Sequence, residues 1–237
     1  MNITFEPIFE FAKDHTPILA KKMMPDWIKN LPPIVVGVDD RSIKTIKKCP
    51  PTIDFLTSGY YMLSPGNFHF RREINNGEED IFINGDEYIN AVEDNKNISM
   101  PALGFHIHDQ APIVINGIKK SIWKMYQFWT IETPPGYSCM FLSPTYFHQP
   151  FQIFPAVVDT DDGFKVPQSL PMMCSFNDNE THEWDIKKGD PLALIIPFKR
   201  EEWSSNITGV SKENQEIALN KSYQSYDNDY HKKKIFK

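Results

Sequence analysis

PPGYSCMFLSP (134–144), FQIFPAVVDTDDGF (151–164) and WDIKKGDPLALIIPFKREEW (184–203) are the stretches that decide the fold. Each is a short apolar run bounded by turn chemistry. Pro134-Pro135-Gly136 feeds the first run, the second ends on Asp159-Thr160-Asp161, and the third is broken at Lys188-Gly189-Asp190. Proline presets φ near −65° and glycine supplies the positive φ of a tight turn, so runs punctuated this way read as strands rather than helices.

The same grammar extends outward. Residues 68–74 alternate Phe68, Phe70 and Arg72 against His69, Arg71 and Glu73, then meet Asn75-Asn76-Gly77, a hairpin turn. Ile81-Phe82-Ile83 meets Asn84-Gly85, which reads as a second hairpin, and Asn116-Gly117 reverses the chain between two further strands. Strand signals begin at Cys49, with 53–63 predicted as strand broken at Thr57-Ser58-Gly59, and 126–133 as an aromatic strand. Residues 86–96 are acidic and polar, which predicts a solvated loop or short helix.

The ends differ from this middle. Residues 1–48 read as a proline-rich N-terminal arm, with room for one helical turn at Asp26–Asn30 and with Trp27 as its anchor. After Trp203 a helix is expected from about Ser211, followed by a basic tail. The expected organisation is therefore an arm (1–48), a β core (49–203), and a C-terminal helix with tail (204–237), in a mostly-β chain. A twisted β-sandwich or β-clip accommodates such short strands.

Nineteen prolines against eleven glycines fit a loop-rich β protein, and 237 residues suffice for a substantial core. The net charge of −6 offers no global attraction to nucleic acid or anionic lipid, so neither partner is expected. No apolar run approaches a membrane span, and the first residues lack a secretory pattern. Cys49, Cys139 and Cys174 are too few and too far apart for a disulfide framework and read as free thiols.

Two constellations carry chemistry. Asp159 and Asp161 stand at i, i+2, so both carboxylates share one face if the strand continues; such a pair binds Mg²⁺, serves as a base, or simply ends a strand in water. His106 and His108 have the same spacing, with His148 as a third nitrogen, a pattern that fits a cupin-like or iron-dependent oxygenase site. Lys199-Arg200-Glu201-Glu202 reads as a solvated edge. Tyr223, Tyr226 and Tyr230 recur at helical spacing and, with Trp27, are candidates for an interface.

The ordered turns resemble the core of dUTPase-like proteins over about residues 52 to 198. Thr57-Ser58-Gly59-Tyr60-Tyr61 resembles that family's strand entry, with Tyr61 where a metal-coordinating aspartate is found. Pro134-Pro135-Gly136 resembles the turn before the phosphate loop, but Ser143-Pro144-Thr145-Tyr146 lacks the loop's arginine and glycine. Val157-Val158-Asp159-Thr160-Asp161 resembles the strand bearing the catalytic aspartate, which Asp159 matches, with Asp162 in place of a base-stacking tyrosine. The run 187–195, KKGDPLALI, resembles the family's structural K-G-D strand. The glycine-rich closing arm has no counterpart.

The chain also resembles a family of tailed-phage proteins of no assigned activity. That likeness rests on Met24-Pro25-Asp26-Trp27-Ile28-Lys29, Lys48-Cys49-Pro50-Pro51, Thr133-Pro134-Pro135-Gly136-Tyr137-Ser138 and the run 196–203, IPFKREEW. Together the resemblances imply a phage-encoded protein of the infected host's cytoplasm or the virion. They imply a homo-oligomer, a trimer being common among dUTPase-like folds, with a virion or host protein as a further partner. The expected function is non-catalytic binding or assembly. The alternatives are a Mg²⁺-dependent nucleotide-binding or nucleotide-hydrolysing enzyme using Asp159 and Asp161, and an iron enzyme using His106 and His108.

Overall fold

The computed structural model describes residues 1–37, 40–85, 103–127, 129–161 and 168–220. In chain order the elements are β1 (Thr4–Pro7), β2 (Ile18–Leu19), α1 (Asp26–Asn30), β3 (Ile34–Val36), β4 (Ser42–Lys44), α2 (Pro50–Thr57), β5 (Tyr60–Leu63), β6 (Phe68–Asn75), β7 (Glu78–Asn84) and β8 (Leu103–His106). There follow β9 (Val114–Ile115), β10 (Ile118–Lys119), β11 (Ile122–Gln127), β12 (Trp129–Glu132), β13 (Tyr137–Leu142), β14 (Phe151–Ile153), β15 (Ala156–Asp159), β16 (Gln168–Cys174), β17 (His182–Ile186), β18 (Pro191–Lys199) and a C-terminal helix, Lys212–Asn220. The fold is mostly β, with a short C-terminal helix, as the turn grammar predicts.

Contacts gather Met1–Met23 and Gly59–Arg200 into one compact unit, and Met24–Ser58 with the described residues from Glu201 into another. This grouping differs from the expected division at 48 and 203. Residues 1–23 are built into sheets: β1 pairs with β12 and β2 with β5.

In the first unit the strands form sheets of order β17-β6-β7-β10-β9, β14-β16-β11-β8 and β15-β13-β18-β5-β2, with β1-β12 as a separate ribbon. Their apolar faces share one core. Phe70 stacks on Trp184 with ring centroids 5.1 Å apart, and both rings meet Trp123. Full burial of such side chains contributes roughly 1.5–3 kcal/mol each.

The two Asn-Gly hairpins form as predicted, with positive φ at Asn76 and Gly77 between β6 and β7, and at Asn116 and Gly117 between β9 and β10. Gly59 meets a stricter demand: at φ 73° a Cβ would lie 2.1 Å from the Ile195 carbonyl oxygen, so only glycine lets the start of β5 lie against β18.

Two local expectations are corrected. Residues 53–57 are helical within α2, because Pro50 and Pro51 occupy its first turn, where proline's fixed φ and missing N–H favour helix initiation. Gly85 does not take the positive φ of a hairpin turn; a Cβ there would meet the Phe68 ring at 2.3 Å, so this glycine answers to packing.

In the second unit, α1 occupies the predicted helical turn, and β3 and β4 form a ribbon in which Val35 faces Ile43. Ile34, Val35, Val36 and Ile43 are all exposed. Residues 201–211 run without regular structure and expose Trp203, Ile207 and Val210. Ser211 Oγ then accepts the Asn214 N–H at 3.2 Å, capping the C-terminal helix. No described helix is long and apolar enough to cross a membrane.

Candidate functional site

The Asp159/Asp161 pair lies where three predicted features converge. The Pro134–Tyr137 segment is a turn in which the Tyr137 N–H bonds to the Pro134 carbonyl at 3.2 Å, with Pro135 and Gly136 (φ 83°) at its centre. Proline followed by positive-φ glycine is what a type II turn requires. It launches β13, which lies between β15 and β18, with Ser138 opposite Asp159 on one side and Phe198 on the other. Arg200, just past β18, donates its backbone N–H to the Gly136 carbonyl at 2.8 Å, which brings its side chain to the aspartates.

The alternation predicted for this strand end holds. Thr160 points inward, 2% exposed, with its hydroxyl 2.7 Å from that of Thr133, while the flanking carboxylates converge on Arg200. Nη1 lies 3.0 Å from Asp159 Oδ1 and 3.0 Å from Asp161 Oδ1, and Nη2 bonds to Asp161 Oδ2. Ser138 Oγ donates to Asp159 Oδ1 at 2.6 Å, and the Gly136 N–H donates to Asp161 Oδ2 at 2.6 Å. The guanidinium and the Gly136 N–H hold the Asp161 carboxyl below its usual range, and Asp161 pushes Arg200 up. The solvated edge expected at Arg200 is instead a clamp. At Asp161 these hydrogen bonds favour the charged form and make it a weaker base. Asp159 keeps Oδ2 outside these bonds, and its side chain is 62% exposed.

The histidines are not brought together. β8 ends at His106, the chain turns at Ile107, and His108 begins a 3-10 turn (His108–Gln110) whose Gln110 Oε1 accepts the Ile107 N–H at 3.0 Å and lies 3.3 Å from His106 Nδ1. The common strand face that the spacing implied therefore does not exist. His148 sits in the left-handed region after another 3-10 turn, Thr145–Phe147. Among the described residues no group of three His, Cys, Asp or Glu is placed to hold a metal ion. Trp27 lies on α1, 38% exposed. Tyr223, Tyr226 and Tyr230 lie outside the described residues.

Two buried polar groupings escaped the sequence reading. Arg72, Glu79 and Lys120 have fully buried side chains: Glu79 Oε1 lies 2.7 Å from Arg72 Nε and 2.5 Å from Lys120 Nζ. Arg72 also donates to the backbone carbonyls of Asp178 (2.7 Å) and Glu180 (2.8 Å), and Lys120 to that of Phe176 (2.8 Å). The network thereby fixes the loop between β16 and β17. Its signal was present: Arg72 falls on the apolar side of the β6 alternation, and a buried arginine requires a carboxylate. The second is His15, 4% exposed, neither ring nitrogen having a hydrogen-bond partner among the described residues; burial first, and Lys188 second, pull its pKa from 6.5 to about 4.

No family model matches the chain, and no curated protein does. Among solved structures, the dUTPase of Staphylococcus bacteriophage 80alpha is similar at a TM-score of 0.38 and 11% identity, over 89% of this chain and 97% of that one. The same enzyme with dUPNHPP gives a TM-score of 0.37 and 10% identity, over 89% of each chain. The dUTPase from phage phi11 of S. aureus gives 0.36 and 10%, over 90% of this chain and 97% of that one. The likeness is a distant one of fold.

Proposed function

We propose that this chain is a phage-encoded binding or assembly protein that uses its β scaffold without catalysing a reaction. The observation that carries this reading is the clamp: Arg200, Ser138 and the Gly136 N–H engage the two carboxylates that nucleotide hydrolysis would need. In that role Asp159 and Asp161 set the geometry of the Pro-Pro-Gly turn and the ends of β15 and β18. The apolar side chains of Trp203, Ile207 and Val210, more than four-fifths exposed, suit contact with a second copy or with a virion or host protein.

Light scattering on the full chain tests the assembly reading. The expected result is a homo-oligomer, well above the 27.5 kDa of one chain, that shifts toward monomer when Trp203→Ala and Ile207→Ser are combined. A monomer at all concentrations, together with no partner recovered from infected cells or purified particles, would overturn it.

A further inference from the structure

At one end of the β17–β6–β7 sheet lies a pocket of about 450 Å³, within the range of small-molecule sites. Register places Asn84, His69 and Asp185 side by side across the three strands, on the face turned away from the core. Asp185 Oδ1 lies 2.8 Å from His69 Nδ1. A carboxylate only accepts, so Nδ1 carries the proton and Nε2 is left for another partner. Asn67 Oδ1 accepts the Lys188 N–H at 2.9 Å, which fixes the amide and leaves Nδ2 as a donor.

Two lysines on the adjoining turn are treated differently. The Lys188 ammonium lies 3.6 Å from Asp14, whereas that of Lys187, whose residue lines the pocket, has no partner among the described residues. The Lys187 backbone is itself anchored, its N–H donating to Asp190 Oδ2 at 2.8 Å. Asn84 likewise has no side-chain partner among the described residues. Lys187, Asn67, Asn84 and His69 thus line one cavity, each with hydrogen-bonding capacity unused among the described residues.

We propose that this pocket binds the phosphate group of a small phosphomonoester. A phosphate accepts from Lys187 and the Asn67 and Asn84 amides, and its charge complements the ammonium. His69 Nε2 meets it in either protonation state, donating as imidazolium or accepting from a P–OH as the neutral ring. A metal cation fits poorly, because the one carboxylate in the set is already on His69. The site lies on a different sheet from the Asp159/Asp161 clamp and requires no turnover, so its failure would leave the assembly reading standing.

Titration of the full-length protein with inorganic phosphate and, separately, with glycerol 3-phosphate, followed by NMR of the His69 ring and by calorimetry, tests the site. Saturable binding is expected, tighter for the monoester; equal affinity for the two would reduce the ligand to free phosphate and overturn the monoester assignment. Loss of a charge-assisted contact in Lys187→Met or His69→Gln should weaken binding about tenfold, while Lys188→Met should stay within about twofold. All three substituted residues are solvent-facing, and an unchanged circular-dichroism spectrum checks the fold of each variant. Non-saturating shifts, or equal weakening by Lys187→Met and Lys188→Met, would overturn the proposal.

Discussion

The Arg200 clamp and the Arg72 network join arginine to carboxylates in opposite surroundings. In the clamp, Arg200 is 39% exposed and Asp159 62% exposed, so water shares the work of solvating them. In the network, Arg72, Glu79 and Lys120 have no exposed side-chain surface; Glu79 joins both cations, and Arg72 reaches one further carboxylate, that of Asp178. The partly exposed clamp was the part that looked like chemistry in the sequence, whereas the buried network showed there only as Arg72 on the apolar side of β6. Spacing of carboxylates announces a shared face; only their partners decide whether they are bases or struts.

Breaking the network should have the largest effect. Glu79→Gln leaves the buried Lys120 without a carboxylate and Arg72 with only the half-exposed Asp178, and should cost about 3–5 kcal/mol in denaturant unfolding. Replacing Arg72, Glu79 and Lys120 together by apolar residues of similar volume should recover most of that loss, because desolvation offsets much of a buried pair's attraction. Failure to recover would mean that the carbonyls of Phe176, Asp178 and Glu180 need these cations.

His15 sharpens the contrast, since it is buried without a hydrogen-bond partner among the described residues. Its folded pKa of about 4 lies below the 6.5 of the unfolded chain, so the unfolded state takes up the proton first as pH falls. Stability should be full above about pH 7, decline through the window from 6.5 to about 4, and lose about 3 kcal/mol in all. His15→Leu should flatten that part of the pH profile of the denaturation midpoint.

The smallest effect on global stability belongs to Arg200→Met. The lowered Asp161 pKa means that this carboxylate contributes stability above its unfolded value of 3.8, which is lost as pH falls through the folded value. Removing Arg200 should therefore make the acid limb below pH 3.8 shallower. It should also speed amide exchange at Gly136, whose carbonyl and N–H are both held in the clamp.

Local rules made much of this legible. Asn76-Gly77, Asn116-Gly117, Pro135-Gly136 and Lys188-Gly189 each mark a turn whose glycine takes positive φ, because turn chemistry lies within four residues. The shared face of Asp159 and Asp161 was legible for the same reason. The helix at Pro50–Thr57 was missed where two leading prolines outweighed β-like residues after them. What local pattern does not contain is pairing across distance. Nothing near His69 indicates Asp185, 116 residues away, and nothing near Glu132 indicates that Thr4 will pair with it. The histidine pair failed on one residue, Ile107, where the strand ends and the shared face ends with it.

The central claim is that Asp159 and Asp161 are structural. Pyrophosphate release from nucleoside triphosphates with Mg²⁺, dUTP included, measures this directly when the wild-type chain is compared with Asp159→Asn. The account predicts no release above the protein-free blank from either chain. Release by the wild type that disappears in Asp159→Asn would contradict it.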